Sequence, residues 1–233
     1  MKNVAIIPAG GSGKRMDSRF PKQYLPVGDI PLLVHTLRIF QLSLLIDDIL
    51  LVVPKEDIQK VGSWIIERYS LSKVRQILAG GNKRQDSVKN GLDVIGDDCD
   101  IVLIHDGVRP FISGELIRLA VQEAAKHGAV AVGVPVKDTV KRVDQDGWIL
   151  ETLNRQMLWL TQTPQAFKRL IIQEAYQRAY QDHFYGTDDA SLVERMGHPV
   201  RMIPATYENI KITTPEDLLL AELLMKTRKV TVP

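Results

Sequence analysis

A glycine-rich loop with cationic side chains follows the first apolar segment of the chain. Residues 4–8 lead directly into Ala9-Gly10-Gly11-Ser12-Gly13-Lys14-Arg15, and Lys22 follows a few residues later. The backbone N–H groups of such a loop can approach an anion closely, and neighbouring cations favour negative charge there. A cation-rich loop of about 14 residues is also longer than a simple connection requires. The loop is therefore a candidate phosphate-binding site.

Two established phosphate-binding fingerprints do not fit this loop. A Walker A motif needs Ser or Thr after Gly13-Lys14, where this chain has Arg15, and a glycine where it has Pro8. The Rossmann pattern Gly-x-Gly-x-x-Gly would begin at Gly11, but its last position is Met16. Taken alone, the loop is as compatible with a plain turn as with an anion site.

Further polar groups follow three other apolar runs. They are Gly80-Gly81-Asn82, Asp106 with Arg109, and Lys137-Asp138-Thr139. Ligands of open parallel sheets bind beyond the carboxyl ends of the strands, so these groups are expected at one edge with the glycine loop. A carboxylate at the end of a buried strand needs a partner. For Asp106 that partner is either Mg²⁺ bridging phosphates or an ion pair with Arg109.

Short β-rich runs alternate with helical patterns along most of the chain. This alternation is typical of βαβ units and predicts an α/β fold, a Rossmann-like and mostly parallel sheet flanked by helices. The predicted strands are 4–8, 48–53, 74–79, 100–105 and 129–135. The predicted helices are 31–45, 55–69, 84–95, 115–126, 168–181, 188–196 and one that begins at Thr214.

One segment departs from the βαβ pattern. Residues 139–143 and 148–152 are two short β-type runs around Asp144-Gln145-Asp146-Gly147, which predicts a hairpin. The hairpin has many charges, so we expect an arm that projects from the body. No linker or repeat divides the 233 residues, a length that fits one α/β domain. We therefore predict a single domain, 1–233, with the arm at about 137–153.

The composition excludes several classes of protein. Hydrophobic residues make up 45% of the chain, too many for a disordered one. The 30 Lys and Arg against 28 Asp and Glu are too balanced for non-specific binding to nucleic acid. The lone Cys99 excludes an internal disulfide and fits a reducing compartment. No apolar run approaches the roughly 18 residues of a membrane span. We expect a cytoplasmic protein that binds neither nucleic acid nor membrane.

Six blocks carry a resemblance to a known family. They are 8–16 with 21–25, 80–88, 105–110, 161–165, 187–190 and 209–213. In this order and spacing they resemble the sugar- and polyol-phosphate nucleotidylyltransferases, and among these the 2-C-methyl-D-erythritol 4-phosphate cytidylyltransferase family. The chain departs from that family at two places. It has Gly10 where the family usually has a second alanine, and Gly107 replaces a more usual alanine.

The resemblance implies transfer of a cytidylyl group from CTP to a phosphorylated polyol in non-mevalonate isoprenoid synthesis, with release of pyrophosphate. It implies that Arg15 and Lys22 stabilise the transition state and the leaving pyrophosphate, while Arg155 and Lys211 hold the attacking phosphate. The implied nucleotide contacts are Ala9, Gly10, Gly11, Gly13, Gly81, Asn82 and Ser87. The implied substrate contacts are Arg109, Thr139, Thr163 and Thr187, and Asp106 is the implied Mg²⁺ ligand.

The resemblance also implies a homodimer in which the 137–153 arm embraces the second subunit, so that Thr139 would serve the neighbour's site. A monomer with a mobile arm is the alternative. Two other functions stay open: a ribitol-5-phosphate cytidylyltransferase, a group in which the double glycine also occurs, and a non-catalytic CTP-binding regulatory module. Blocks 84–88 and 187–190 favour the methylerythritol acceptor, and the transition-state cations disfavour the regulatory module.

Overall fold

The five predicted strands are all observed, and they belong to one seven-stranded sheet. The computed structural model describes residues 1–11 and 21–231. The strands are β1 (Asn3–Pro8), β2 (Pro26–Val27), β3 (Ile30–Pro31), β4 (Asp48–Val53), β5 (Val74–Ala79), β6 (Ile101–Ile104), β7 (Ala129–Pro135), β8 (Lys141–Val143), β9 (Ile149–Thr152), β10 (Trp159–Lys168) and β11 (Arg201–Pro204). The α-helices are α1 (Leu32–Leu42), α2 (Ile58–Val61), α3 (Arg84–Leu92), α4 (Gly114–His127), α5 (Arg169–Gln181), α6 (Asp189–Arg195) and α7 (Pro215–Thr231).

The strand order of the sheet is β11-β7-β10-β6-β1-β4-β5. All neighbours are parallel except β10, which is antiparallel to both β6 and β7. The predicted α/β fold with a mostly parallel sheet is confirmed. Because β1, β4, β5 and β6 run in the same direction, their carboxyl ends meet at one edge, and the polar loops that follow them meet there too.

The central strand β10 and the edge strand β11 were not predicted from the sequence. The first half of β10 is Trp159-Leu160-Thr161-Gln162-Thr163-Pro164, a largely polar run interrupted by a proline. Proline within a sheet is confined to edges and irregularities. The register of β10 against β7 indeed shifts between Gln162 and Gln165, around this proline. Residues 162–167 of this strand are buried, and distant side chains pair with their polar groups. The local sequence pattern does not contain these pairings.

Alternation along β1 divides the core into two layers. Ala5 and Ile7 face a cluster that includes α1, the segment 58–67 and α4, while Val4 and Ile6 face a cluster that includes α3, α5 and α6. Helices therefore cover both faces of the sheet, as its continuous apolar strands require. A third, smaller cluster packs α7 against Val27 of β2 and the beginning of α1.

Three predicted helices differ from the observed ones by more than one residue, and one of them, expected over 84–95, ends at Leu92. The helix expected over 31–45 ends at Leu42, because the next residue, Ser43, is extended. The continuous α-helix expected over 55–69 is instead a 3₁₀ turn (Lys55–Asp57), the short α2 and a π-helical segment (Gly62–Glu67). Its apolar residues still face the core, since Val61 and Ile65 are fully buried.

The predicted hairpin is observed. Strands β8 and β9 pair only with each other within the described sheets, and every residue in them is exposed. The turn is closed by the carboxylate of Asp144, which accepts from the backbone N–H groups of Asp146 and Trp148. Gly147 has φ +88°, a conformation that favours glycine. In the described part of the chain, no helix has the length and apolar character needed to cross a membrane.

Candidate active site

Two adjoining cavities lie beyond the carboxyl ends of β1, β5 and β6, at the edge where the sequence predicts a phosphate site. The first measures about 360 Å³ and the second about 280 Å³. Arg84, Asp106 and Lys211 line both cavities, so these three side chains lie where the cavities meet. This position agrees with the general location of ligands in open α/β sheets.

The first cavity brings together six of the seven residues implied to bind a nucleotide. They are Ala9, Gly10, Gly11, Gly81, Asn82 and Ser87. The seventh, Gly13, and the implied catalytic Arg15 lie outside the described residues. The glycine-rich loop begins where β1 leaves the sheet, since the N–H of Ala9 still donates to the carbonyl oxygen of Val52 at 2.7 Å.

Gly81 has a steric reason to be glycine. A Cβ at this position would overlap the Cβ of Asp86, which lies in the first turn of α3. The close approach lets the N–H of Gly81 donate to Ser87 Oγ at 3.1 Å. Asp86 in turn accepts from the N–H of Lys83 at 2.9 Å. These contacts fix the loop against the N-terminus of α3, where free N–H groups favour anions.

Lys22 also lines the first cavity, next to Gly11, since a Cβ on Gly11 would lie 3.7 Å from Lys22 Cε. It begins a 3₁₀ turn (Lys22–Tyr24) whose end is anchored in the core. The Tyr24 hydroxyl donates to Asp57 at 2.8 Å, and its ring packs edge-on against Trp64. Lys22 is therefore presented to the cavity by a fixed turn, in a position suited to contact phosphate oxygens there.

Asp106 is surrounded by three cations. Its Oδ1 accepts from Arg84 Nε at 2.8 Å, and its Oδ2 lies 2.7 Å from Lys211 Nζ and 3.7 Å from Arg109 Nε. Burial alone would raise the pKa of the Asp106 carboxyl, but Arg84, Lys211 and Arg109 together hold this pKa far below its usual value. The sequence offered two partners for Asp106, either Mg²⁺ or an ion pair with Arg109. The structure shows the ion pair with Arg109, and it is the longest of the three ion pairs that Asp106 makes.

Lys211 reaches Asp106 because the segment before α7 is held in place from both sides. Asn209 donates from Nδ2 to Gln162 Oε1 at 2.9 Å and to the carbonyl oxygen of Thr163 at 2.8 Å. On the other side, the N–H of Ile212 donates to the carbonyl oxygen of Val108 at 3.0 Å. Arg109 also donates to the carbonyl oxygen of Asn209, at 2.8 Å.

A buried histidine ties Asp106 to Arg109 through a directed chain of hydrogen bonds. The N–H of Asp106 donates to Thr163 Oγ1, and that hydroxyl lies 3.1 Å from His105 Nδ1. His105 Nε2 lies 3.1 Å from the carbonyl oxygen of Arg109, which can only accept. The proton is therefore assigned to Nε2, and Nδ1 accepts from the hydroxyl. Burial lowers the pKa of His105 to about 4, so the ring is neutral.

The second cavity contains three of the four implied substrate contacts. Arg109, Thr163 and Thr187 line it, although the hydroxyl of Thr163 is engaged by Asp106 and His105. Thr187 is exposed and precedes the N-cap of α6. Gln165 of β10 fixes that cap, since its Nε2 donates to Asp188 and its Oε1 accepts from the N–H of Ala190.

Thr139 and Arg155 are not brought to either cavity. Thr139 is exposed and precedes β8, and Arg155 is exposed and follows β9. Arg155 Nη1 donates to the carbonyl oxygen of Lys137, which holds the two ends of the arm together. Within one chain, these two residues are therefore grouped with each other on the arm and apart from Lys22 and Lys211.

Arg84 and His105 are the central side chains that the sequence did not assign. Both lie in the motif blocks, at 80–88 and 105–110, but neither position has a local pattern that reveals its partners. Arg84 pairs with carboxylates 22 and 105 residues away, and His105 contacts a hydroxyl 58 residues away. The sequence offered one signal that Arg84 has a special role. Arg84 lies in the first turn of a predicted helix, where the helix dipole disfavours a cation.

The residues present fit a divalent cation that is bound together with a nucleotide. The described residues include no cluster of three or more His, Cys, Asp or Glu side chains able to hold a metal by themselves. Asp106 supplies one ionised carboxylate on the wall of the first cavity. A hard cation such as Mg²⁺ commonly takes one or two carboxylates and completes its shell with phosphate oxygens and water.

Comparison with known proteins decides the family. Residues 3–227 match the family described as "IspD: 2-C-methyl-D-erythritol 4-phosphate cytidylyltransferase". The chain belongs to the IspD family. The resemblance deduced from the six sequence blocks is thereby confirmed.

Relatives of the same name cover nearly the full chain. The 2-C-methyl-D-erythritol 4-phosphate cytidylyltransferase of Syntrophus aciditrophicus is 55% identical over 225 residues, 97% of this chain and 96% of that protein. The protein of the same name from Geobacter metallireducens is 47% identical over 231 residues, 98% of this chain and 99% of that one.

A solved structure of the IspD family shows the same fold. The 4-diphosphocytidyl-2C-methyl-D-erythritol synthase of Anaerococcus prevotii superposes with a TM-score of 0.85 at 35% identity. The superposition covers 97% of this chain and 96% of that one.

Proposed function

We propose that this chain transfers the cytidylyl group of CTP to 2-C-methyl-D-erythritol 4-phosphate, giving 4-diphosphocytidyl-2-C-methyl-D-erythritol and pyrophosphate. The observation that carries the proposal is the pair of adjoining cavities that share Arg84, Asp106 and Lys211, in a chain of the IspD family. Two phosphorylated substrates must meet in this reaction. Two cavities with cations where they meet suit that requirement.

CTP occupies the first cavity in this proposal. Its phosphates contact the glycine-rich loop and Lys22, and its nucleoside contacts Gly81, Asn82 and Ser87 on the opposite wall. Backbone N–H groups and short polar side chains supply directional hydrogen bonds to a base. Gly13 and Arg15 complete the loop in this proposal by resemblance to the family.

The acceptor occupies the second cavity, with its phosphate beside Lys211 and its polyol near Arg109 and Thr187. Thr163 acts there mainly by positioning, because its hydroxyl is used by Asp106 and His105. An oxygen of the acceptor phosphate attacks the α-phosphorus of CTP. A P–O bond forms there while the bond to the β-phosphate breaks, and pyrophosphate leaves.

This chemistry needs no general base from the protein. A phosphate monoester has a second pKa near 6 and is already largely a dianion at neutral pH. The task of the protein is to bring two anions together and to stabilise the charge that builds at the transferring group. Lys22 and Arg15 supply positive charge on the pyrophosphate side, and Lys211 supplies it on the acceptor side.

IspD enzymes generally use a divalent cation, and we propose that it is Mg²⁺, held by Asp106 and the phosphates of CTP. When bound, the cation would neutralise part of the negative charge of the phosphates. The contribution of the chain is to keep the Asp106 carboxylate ionised and in place, which Arg84, Lys211 and Arg109 do.

We further propose that the enzyme is a homodimer joined through the arm. The arm exposes apolar side chains that a monomer would leave in water, including Trp148, which is 74% exposed, and Ile149. A two-stranded hairpin is marginal by itself, and a partner surface would stabilise it. Thr139 and Arg155 then contribute to the site of the neighbouring subunit. A cytoplasmic location, suggested by the lone cysteine, is part of the proposal.

The test is pyrophosphate release from CTP and Mg²⁺ with 2-C-methyl-D-erythritol 4-phosphate and ribitol 5-phosphate offered separately. Turnover with the first alone is expected. Turnover with ribitol 5-phosphate alone would overturn the proposed acceptor. No turnover with either, together with tight CTP binding, would identify a non-catalytic CTP-binding module instead.

A further inference from the structure

Arg84 joins two carboxylates that come from different elements of the fold. Its Nε donates to Asp106 Oδ1 at 2.8 Å, and its Nη2 donates to Asp189 Oδ2, also at 2.8 Å. Asp106 follows β6, whereas Asp189 begins α6. The planar guanidinium makes both contacts at once, which an ammonium group cannot do in the same geometry.

The Asp189 end of this bridge is fixed in the core. Asp189 is only 1% exposed, and its Oδ1 accepts from the hydroxyl of Tyr176 at 2.6 Å. Tyr176 lies on α5 and is itself fully buried. Because a buried carboxylate with two strong donors has little freedom, Arg84 is anchored from behind.

The other oxygen of Asp106 has a different kind of partner. Lys211 contacts Oδ2 at 2.7 Å, but its side chain is 37% exposed, and Asp106 is its one partner among the ion pairs and hydrogen bonds of the described residues. An ammonium on a flexible stem can change partners at small cost. Phosphate in the second cavity would offer Lys211 such a partner.

The formal charges of this cluster do not cancel. It contains three cations (Arg84, Arg109 and Lys211) and two carboxylates (Asp106 and Asp189), which leaves one positive charge in excess. Both substrates bring phosphate into this field. If Asp106 were held by Lys211 alone, it would follow the lysine or be repelled by the incoming anions. Arg109 stays 3.7 Å from Oδ2, so Arg84 at 2.8 Å from Oδ1 is the close, fixed contact that keeps the carboxylate at the first cavity when Lys211 leaves it.

We propose that Arg84 is the positioning residue that holds Asp106 in place for the nucleotide-bound cation while Lys211 turns from Asp106 to the acceptor phosphate. This inference rests on the proposed function and adds different roles for the two cations that contact Asp106: Arg84 fixes the carboxylate, and Lys211 moves to the acceptor phosphate. Arg84 acts through Asp106, and Asp189 with Tyr176 acts through Arg84.

The decisive variant is Arg84→Lys, because it keeps the positive charge and removes the two-carboxylate bridge. Binding of Mn²⁺ is measured by electron paramagnetic resonance in the presence of α,β-methylene-CTP, whose α–β link cannot be cleaved. We expect Mn²⁺ binding to weaken about 10-fold and kcat to fall on the order of 10²-fold, as displacement of a reacting group by about 1 Å does. The KM for the acceptor should change less than 3-fold, roughly.

Arg169→Lys is the matched control. Arg169 is also a part-buried arginine that bridges distant groups, the carbonyl oxygen of Cys99 and the carboxylate of Asp97, but it lines neither cavity. Its replacement should lower thermal stability with Mn²⁺ binding unchanged. If Arg84→Lys does not fold, Asp189→Asn supplies the test, since it keeps the shape of the anchor and removes its charge. It should weaken Mn²⁺ binding in the same direction by a smaller factor.

Two outcomes would overturn the inference. If Arg84→Lys binds Mn²⁺ as tightly as the wild-type chain, Asp106 needs no bridge from Arg84. If Arg169→Lys loses as much Mn²⁺ affinity as Arg84→Lys, the loss is a general effect of lower stability. The readouts also separate this inference from the proposed function. Mn²⁺ and nucleotide binding with no turnover in the wild-type chain would refute the function, whereas the comparison of variants by Mn²⁺ binding would still stand.

Discussion

Asp106 and Arg155 are assigned by family resemblance to the same reaction, but their surroundings differ sharply. Asp106 is buried among three cations, and its backbone N–H is held by Thr163. Arg155 is exposed just beyond the arm, where it donates to the carbonyl oxygen of Lys137 at the beginning of the arm. One half of the candidate site is therefore fixed by long-range contacts within the chain, whereas Arg155 lies outside both cavities of its own chain.

The two halves should therefore respond differently to substitution. In the fixed half, a substitution leaves a charge or a polar group without its partner, so rate and stability should both depend on individual atoms. On the arm, a substitution removes a side chain that is exposed to solvent. The fold should therefore tolerate it, and only binding of the acceptor should weaken. Each prediction below tests one side of this comparison.

The largest effect is expected for Lys22→Ala in the fixed half. Turnover should fall on the order of 10²–10³-fold, because one cation aimed at developing charge is lost. The dissociation constant of CTP, measured by calorimetry, should change far less. The exposed Lys126 on α4 serves as control, and Lys126→Ala should leave both unchanged. Loss of CTP affinity with preserved turnover at saturation would show that Lys22 binds the ground state instead.

Acid should weaken the fixed half through His105. Its pKa is about 4 in the folded chain against an ordinary value of 6.5, so the unfolded chain binds the extra proton between these values. Stability should therefore fall as pH drops from 6.5 to 4, by up to about 3 kcal/mol from this residue. Denaturant unfolding across this range measures it.

The matched variants for this pH dependence are His105→Asn and His198→Asn. His105→Asn should be less stable at pH 7 and should lose most of the slope between pH 4 and 6.5. His198 is on the surface at the end of α6, and its replacement should retain the wild-type slope. An identical slope in all three proteins would contradict the neutral, buried state assigned to His105.

Arg155→Ala tests the arm. We expect the KM for the acceptor to rise roughly 10-fold with CTP affinity and thermal stability nearly unchanged, because the side chain is exposed and its hydrogen bond to the carbonyl oxygen of Lys137 joins only the two ends of the arm. Steady-state kinetics with each substrate varied in turn provides the measurement. A selective loss of CTP binding would refute the assignment to the acceptor phosphate.

The smallest effects distinguish two glycines at which the family usually has alanine. A Cβ on Gly107 would lie 3.0 Å from both Ala9 Cβ and Leu33 Cδ1, so Gly107→Ala should lower the free energy of unfolding by about 1 kcal/mol. A Cβ on Gly10 would approach nothing closer than 3.9 Å. Gly10→Ala should therefore be neutral or slightly stabilising. Equal destabilisation of both variants would show that crowding is not the cause.

The elements that local pattern determines could be predicted from the sequence. Strands β1, β4, β6 and β7 are apolar runs that are mostly buried, and the hairpin has charged strands around an Asp-rich turn ending in Gly147. Strand β10 could not be predicted, because Gln162, Thr163 and Gln165 find partners in Asn209, His105 and Asp188. Those pairings exist only once the chain has folded.

The candidate site follows the same rule. Motif blocks and strand ends correctly grouped the nucleotide loop with Asp106 and Lys211 at one edge of the sheet. They could not show that Arg84 bridges Asp106 to Asp189, since one partner lies 105 residues away. Nor could they show that the hydroxyl of Thr163 is already used by Asp106 and His105.

The most direct test of the divided site is a mixing experiment with Lys22→Ala and Arg155→Ala subunits. Each variant alone should have little activity with CTP and 2-C-methyl-D-erythritol 4-phosphate at low acceptor concentration. In a mixed dimer, the Arg155→Ala subunit keeps its own Lys22 and receives an intact arm from its partner. After random exchange of subunits, about a quarter of wild-type activity should therefore return. Activity no greater than the sum of the separate variants would contradict the proposal that the arm completes the site of the neighbouring subunit.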